Sequence, residues 1–588
     1  MNNDAITVSD YIIKRLIELK INCIFMLPGG GCMYLVDALA RQNQIEVILL
    51  LHEQSVGIAA EAYSQYSGKL GVSLVTTGPG GTNAVTACAA AWTDSTPMLF
   101  ISGQVKSSDI GSKLGVRQLG FQELPITKIV APITKKSVLL ERPEEIHTVL
   151  DDLVFSAQSG RPGPVWLDIP LDIQNQVLNI SKVINFNTSV PENKYLVNEI
   201  QQLVSLLLSS KKPLFLIGNG IRLSGMMENM EEFLSRCKIP TLLTWKMIDF
   251  LDEQHELNAG RPGAIAQPWS NFVQEESDLI ICLGARIDTG QSAYNLFSFG
   301  QNGIKYIVDI DETELNKFPN STNYIKLNVD LKSFLPIFQN TFLGAASSLN
   351  VGKWDSWLME VAFLKSKYQH SITDKTSNGN SVNLYKFVKV LSDQLSNSAI
   401  LVPGSSGACS EVIMQAFQVK KGQRIFNSEG LGPMGFGIPA ALGACIASGR
   451  RQVISVDGDG GFLMNIQELA SVKLHADHII FFVLNNNGYG SIKLTQDKLF
   501  SGRRLGTDPS TGLALLNLSK IANAFEIPYV RIDREDTLET DIKQILSSEN
   551  SVIVEIFVDP NHKTLPRVRM LRDASGNPLA SDMRVMDF

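Results

Sequence analysis

The chain has 588 residues, 44% of them hydrophobic and 19% charged, and a formal net charge of -7. That length exceeds one hydrophobic core and points to three or four domains. The composition excludes a disordered chain, and the acidic balance leaves no basic footprint for nucleic acid. Seven scattered cysteines, without zinc spacing, read as buried thiols of a reducing compartment. The amino terminus begins acidic and turns amphipathic, unlike a signal peptide. No apolar run nears the roughly 18 residues of a membrane span, so a cytoplasmic protein with no membrane partner is expected.

Residues 1–180 alternate strands and helices. Ile24 to Leu27, Val47 to Leu51, Val72 to Thr76, Met98 to Ser102 and Val165 to Leu167 read as buried strands, with helical patterns at Ser55 to Tyr66 and Ala84 to Trp92. The first three strands run into unusual loops: Pro28-Gly29-Gly30-Gly31, His52-Glu53-Gln54, and Thr77-Gly78-Pro79-Gly80-Gly81-Thr82-Asn83. In a parallel sheet the carboxyl ends share one edge, so these loops form the rim of one site. Glu53 falls at a buried strand end, a position suited to an acid that meets a ligand. The plainer reading is a helix-opening Glu favoured by the helix dipole.

A polar stretch at about 175–195 reads as a linker. The unit 196–345 alternates again, with strands Pro213 to Ile217, Thr241 to Leu243, Leu279 to Leu283 and Lys305 to Val308. Gly218-Asn219-Gly220 after the first of these resembles a dinucleotide turn without its third glycine. A charged, polar connection at 346–380 precedes the unit 381–560, and a short tail of mixed charge occupies 561–588.

The third unit holds the stretch around which the chain is organised. Strand Ala399 to Val402 runs into Pro403-Gly404-Ser405-Ser406-Gly407, whose amides and hydroxyls suit a phosphate. Residues 453–490 then read strand, Gly458-Asp459-Gly460-Gly461, helix, strand, Asn485-Asn486-Asn487-Gly488. Asp459 and Asn486 offer hard oxygens and Gly488 a carbonyl, a set suited to Mg²⁺ shared with a phosphate group. Glycines 458, 460 and 461 let backbone N–H groups close on that phosphate.

Gly-Asp-Gly followed by Asn-Asn after one helix and one strand resembles the thiamine diphosphate (ThDP) motif of the pyruvate decarboxylase and acetolactate synthase superfamily. Residues 47–103 resemble the pyrimidine-binding domain of acetolactate synthase loop for loop. The resemblance spans about residues 5–560 and implies an α/β fold of three doubly wound parallel-sheet domains: pyrimidine-binding (1–180), central and flavin-binding or Rossmann-like (196–345), and diphosphate-binding (381–560). Pro28, Gly29, Gly30, Thr77, Gly78 and Asn83 would then line the cofactor, together with Gly404, Ser405 and Ser406. Glu53 matches the Glu that hydrogen-bonds the aminopyrimidine N1′. Met434 matches the residue wedged between the two cofactor rings, and the Gly432 carbonyl matches the acceptor for the exocyclic amine. Core filler is the plainer reading of Met434. Phe121 and Gln122 match residues over the substrate.

By the same resemblance, Arg161, Gly218, Gly220, Thr244, Gly284, Arg286, Asp288, Asp309, Val329 and Asp330 would bind FAD. One departure is Gly290, where synthases carry a second Arg. Glu53 and Asp459 come from different subunits in the family, which implies a homodimer or homotetramer. The family tail folds over the active-site mouth. The implied reaction is decarboxylation of a 2-oxo acid donor, pyruvate first, and ligation to a carbonyl acceptor. Thr495 and Leu171 stand where synthases place a Trp and a Lys, and GYGSIKLTQ is closer to ThDP enzymes of surface-polysaccharide pathways, whose acceptor is a keto-sugar nucleotide. A pyruvate-oxidase-like flavin enzyme, a simple decarboxylase and a non-catalytic scaffold remain as alternatives.

Overall fold

The computed structural model describes residues 5–179, 196–294, 296, 299–346, 352–373, 381–572, 578–579 and 582–588. Most of the expected linker, residues 180–195, lies outside them. Three six-stranded parallel sheets carry the fold. The first contains β1 (Cys23–Met26), β2 (Glu46–Leu49), β3 (Gly71–Val75), β4 (Met98–Gln104), β5 (Lys136–Leu139) and β6 (Pro164–Pro170). The second contains β7 (Pro213–Ile217), β8 (Thr241–Leu243), β9 (Asn258–Gly260), β10 (Leu279–Leu283), β11 (Ile304–Asp309) and β12 (Tyr324–Asn328). The third contains β13 (Ile400–Pro403), β14 (Arg424–Ile425), β15 (Val453–Gly458), β16 (Ile479–Asn485), β17 (Tyr529–Ile532) and β18 (Val552–Phe557).

The first sheet runs β2-β1-β3-β4-β6-β5 and the third β14-β13-β15-β16-β18-β17, one strand order used twice. The central sheet runs β9-β8-β7-β10-β11-β12, the order of dinucleotide-binding folds. Interior strands such as β7 and β10 are buried at every residue, which is why they read as unbroken apolar runs. Doubly wound α/β architecture follows, as the alternation implied.

The first and third sheets share one hydrophobic core, which includes Phe25, Val56, Phe436, Ile438 and Val453. Its closest approach is between the helices Glu53–Ser67 and Gly437–Ala447. A Cβ on Gly443 would lie 2.1 Å from the Ala59 carbonyl oxygen, so only glycine lets them meet. This contact orients the two sheet edges that carry the cofactor-type loops.

Two segments depart from expectation. The polar connection contains the helix Asp355–Tyr368, anchored by two buried indoles: Trp354 donates to Ser210 O (3.1 Å) and Trp357 to Pro213 O (2.9 Å). Burying an indole with its N–H satisfied outweighs the polar character of the surrounding sequence. In the tail, Val568, Met583 and Met586 enter the central core, and Asn271 donates to Met583 O at 3.0 Å. Part of the tail thus packs on the central domain, while the Leu565 and Pro566 carbonyls accept from Tyr385 and Gln415 of the third. Among the described residues, no helix is long and apolar enough to cross a membrane.

Candidate active site

The third sheet supplies a compact oxygen-rich centre at its switch point, where the loops after β13 and β15 diverge to opposite faces. Asp459 opens the short helix Asp459–Leu463 and is buried. One of its oxygens accepts from Gly460 N (2.8 Å) and the other from Gly488 N (3.0 Å), so the two ends of the motif meet. Burial pushes the Asp459 carboxyl up to about 6. Asn486 Oδ1 is shut from solvent and has no hydrogen-bond partner among the described residues. The Gly488 carbonyl, expected to be free, accepts from Gly490 N at 3.1 Å and keeps its second lone pair.

Asp457, two residues before Asp459, was not singled out in the sequence. Its buried carboxyl lies against three glycines, where Cβ atoms on Gly404, Gly437 and Gly461 would stand 2.5 to 2.7 Å from its oxygens. It therefore braces the loops after β13 and β15, and burial pushes it up to about 7. Beside it, Ser405 Oγ accepts from Ser428 N, Ser406 is exposed, and no atom lies within 4 Å of a Cβ built on Gly458. Gly460 sits under the Tyr489 ring. Gly432 has φ 64°, and Met434 is half-buried on the turn that follows.

The first sheet builds its rim at the equivalent switch point. Glu53 is buried and is the first residue of the helix Glu53–Ser67, so both sequence readings describe one geometry. It accepts from Asn83 Nδ2 at 2.9 Å, which joins the second and third rim loops. A Cβ on Gly29 would collide with Thr76, and Thr77 Oγ1 is buried without a partner; Pro28 and Gly30 are more open. Gln122 has φ 67°, with its carbonyl against Gly78, also at positive φ. Buried Glu123 holds this loop by accepting from Gly111 N and Leu119 N, both at 2.8 Å, leaving Phe121 87% exposed. Among the described residues no hydrogen bond joins Glu53 to Asp459.

A second feature is a cavity of about 520 Å³ at the switch point of the central sheet, between the loops after β7 and β10. Gly218, Gly220, Thr244, Gly284, Arg286, Asp288, Asp309, Asp330 and Arg161 all line it. Gly220 N donates to Gly284 O at 3.0 Å, and a Cβ on Gly220 would lie 2.7 Å from Gly284 Cα, so glycine is required at this close approach. Burial pushes Asp309 up to about 6. Val329 instead packs against the central core, its side chain on the other side of the strand end from Asp330. Arg161 is tied to Asp311 (2.9 Å) and Glu314 (2.7 Å).

Residues unmarked in the sequence also line this cavity. Asp94, Lys246 and Glu429 come from the first, second and third domains. Lys246 Nζ donates to Asp94 (2.9 Å) and Asn427 O (2.8 Å), and Asp94 accepts from Glu429 N and Gly430 N. The cavity wall is thus also the base of the loop that carries Gly432 and Met434. No spacing in the sequence joins these three positions.

Comparison with known proteins places this arrangement. Residues 6–129 match the thiamine pyrophosphate enzyme N-terminal TPP binding domain, 200–336 the central domain, and 405–556 the C-terminal TPP binding domain. The acetolactate synthase large subunit of Lactococcus lactis subsp. lactis is 31% identical over 568 residues, covering 95% of this chain and 94% of that protein. Acetolactate synthase 2, chloroplastic, of Nicotiana tabacum is 30% identical over 571 residues, covering 95% and 83%. The chain belongs to the acetolactate synthase family. The matched N-terminal TPP binding domain contains the Glu53–Asn83 contact, and the matched C-terminal one contains the glycine-rich loop around Gly458. The acetolactate synthase of Zea mays chloroplasts, at 30% identity over 574 residues, aligns along the same span.

Proposed function

We propose that the chain decarboxylates a 2-oxo acid, pyruvate first, and ligates the two-carbon unit to a second carbonyl, using ThDP and Mg²⁺. Asn486 Oδ1 carries this reading: a buried amide oxygen without a partner among the described residues, on the loop whose Gly488 N–H donates to the buried Asp459 carboxylate, fits a hard divalent cation. Asp459, Asn486 and the Gly488 carbonyl would hold that cation. Bound ThDP supplies a thiazolium that stabilises the carbanion left when carbon dioxide departs. Glu53 would hold a proton at the pyrimidine ring, Met434 would fix the angle between the rings, and Phe121 and Gln122 would cover the substrate.

FAD would occupy the central cavity, where the dinucleotide strand order, the Gly220–Gly284 approach and Asp309 fit an adenosine diphosphate. Glu53 of one chain would serve a cofactor held by Asp459 of its partner in a homodimer, or in a tetramer of such dimers. Exposed Leu119, Phe121, Ile492, Phe500 and Leu505 fit burial in that assembly. Seven buried free thiols fit the cytoplasm. Thr495 lies exposed on the helix Gly490–Leu499 and Leu171 opens a short helix, so neither supplies the bulk or charge of the synthase pattern. The acceptor is then a second 2-oxo acid or a larger carbonyl compound such as a keto-sugar nucleotide.

The test is incubation with pyruvate, ThDP and Mg²⁺, with and without these acceptors. Carbon dioxide with a ligated product is expected. No carbon dioxide under any acceptor would sink the proposal, and anaerobic bleaching of bound flavin by pyruvate would move the chain to the oxidase alternative.

A further inference from the structure

The lining of the central cavity divides by strand. Asp309 and Asp330 follow β11 and β12, and Arg161, Glu314 and Lys332 belong to that side. In dinucleotide folds a carboxylate at a strand end reads the ribose, and these two strands are the ones that end in carboxylates. β8 runs instead into Thr244 and Lys246, and there Asp94 of the first domain and Glu429 of the third complete the wall. Arg286 and Asp288, after β10, are the other charges beside Glu429.

On the β8 side every charge is matched but one. Lys246 Nζ spends its three N–H bonds on Gln65 Oε1 (2.6 Å), Asp94 and Asn427 O. Asp94 also accepts from Glu429 N and Gly430 N, and Arg286 donates to Asp288 (2.8 Å) and to Thr93 O. The Glu429 carboxyl, half-buried against the cavity, makes no hydrogen bond among the described residues. The plain reading is a carboxylate ionised in cavity water. It would gain only from Lys246 and Arg286, which already serve Asp94 and Asp288, so an ionised Glu429 leaves one negative charge unmatched in a confined space. Burial, then Asp288 and Asp94, push its carboxyl up to about 8 against the pull of Lys246 and Arg286. Glu61, the next ionisable group behind Asp94 and Lys246, does not line the cavity.

A carboxyl kept neutral is an O–H donor. The carboxylates of Asp94 and Asp288 disfavour a diphosphate beside it, whereas an uncharged heteroaromatic ring with a carbonyl or ring nitrogen at its edge offers the acceptor. Resting on the flavin reading above, we propose that Glu429 donates a hydrogen bond to the flavin ring, on the side of the cavity away from Asp309. It thereby distinguishes FAD from a nucleotide without that ring.

The experiment titrates full-length protein freed of flavin, as wild type, Glu429→Gln and Glu429→Ala, from pH 7 to pH 9. FAD is followed by flavin fluorescence and ADP by calorimetry. The wild-type Kd for FAD is expected to rise about tenfold over that range, because the donated proton is present below about 8 and lost above it. Glu429→Gln keeps an N–H donor, so it should bind FAD within about threefold of wild type at pH 7 and show no comparable rise. Glu429→Ala should bind FAD at least about threefold more weakly at pH 7 and ADP within about twofold of wild type. Unchanged FAD affinity in Glu429→Ala, an equal loss for ADP, a flat wild-type profile, or a slope retained by Glu429→Gln each overturns the proposal. Should Glu429→Ala not fold, the slopes of wild type and Glu429→Gln decide. A wild-type protein that takes no FAD overturns the flavin reading itself, and the proposal with it.

Discussion

The outer sheets and the central sheet are built from the same kind of unit and put to different use. The first and third share a strand order and a core, and on the proposed function each would present half of a ThDP site at its switch point. The first gives the carboxyl and rim, with Glu53 and Asn83; the third gives the oxygen centre, with Asp459 and Asn486. The central sheet instead has the dinucleotide order and a cavity complete within one chain. The divided pair must be assembled by packing two sheets at their edges, whereas the cavity is centred on one sheet's loops and walled by Asp94 and Arg161 of the first domain and Glu429 of the third.

The largest expected effect is on the divided site. Glu53→Gln should lower the rate of carbon dioxide release from pyruvate by roughly 10² to 10⁴ while ThDP binding persists, since it removes a positioned acid and leaves the anchor. A rate within threefold of wild type, measured by coupled assay, would break the assignment of the two halves. Next comes Asp459→Ala, expected to weaken Mg²⁺-dependent ThDP binding by about 100-fold, as a buried charge loses its partner. Calorimetric titration checks it, and flavin content should be unaltered.

Arg286→Ala sharpens the comparison from the other side. Arg286 lines the central cavity and donates to Thr93 O at 2.7 Å, so its loss should weaken FAD binding by about tenfold. Flavin fluorescence on titration measures this, and a larger effect on ThDP than on FAD would erase the distinction between the sites. The smallest effect concerns Glu61, fully buried on the helix Glu53–Ser67, with Oε2 unpartnered among the described residues. Burial pushes its carboxyl up to about 8 from 4.5. The folded state therefore binds the extra proton between those values, and this group's contribution to stability falls as pH rises through that window. Glu61→Gln should raise the apparent Tm by roughly 1 to 2 °C at about pH 9 and leave it unchanged near pH 4. A variant that melts lower at the higher pH would count against this account.

Legibility in the sequence followed burial with exceptions: β2, marked as a buried run at Val47 to Leu51, is a half-exposed edge strand, and the buried interior strand β18 was not marked. Interior strands β3, β4, β7, β10, β15 and β16 are apolar throughout or nearly so, and each is visible as a run. Edge strands β5, β12, β14 and β17 are half-exposed and mixed in composition, so the runs did not mark them. Cofactor-facing residues on strand-end loops were legible because each loop directly follows its strand. Asp457, Lys246 and Glu429 were not, since each is defined by what it touches. The tail likewise gave no sign that Met583 and Met586 would enter the central core.

Sequence alone determined three αβ units, the strand-end loops with their glycines, carboxylates and amides, and the ThDP family to which they belong. Each of these is a local property, carried by residues close together along the chain. Tertiary structure decided which loops meet: Lys246 with Asp94, 152 residues apart, and Glu468 with Leu51, 417 apart. Those contacts depend on how the sheets pack through the shared core and close helix crossings, and side-chain packing at such separations leaves no period in the sequence.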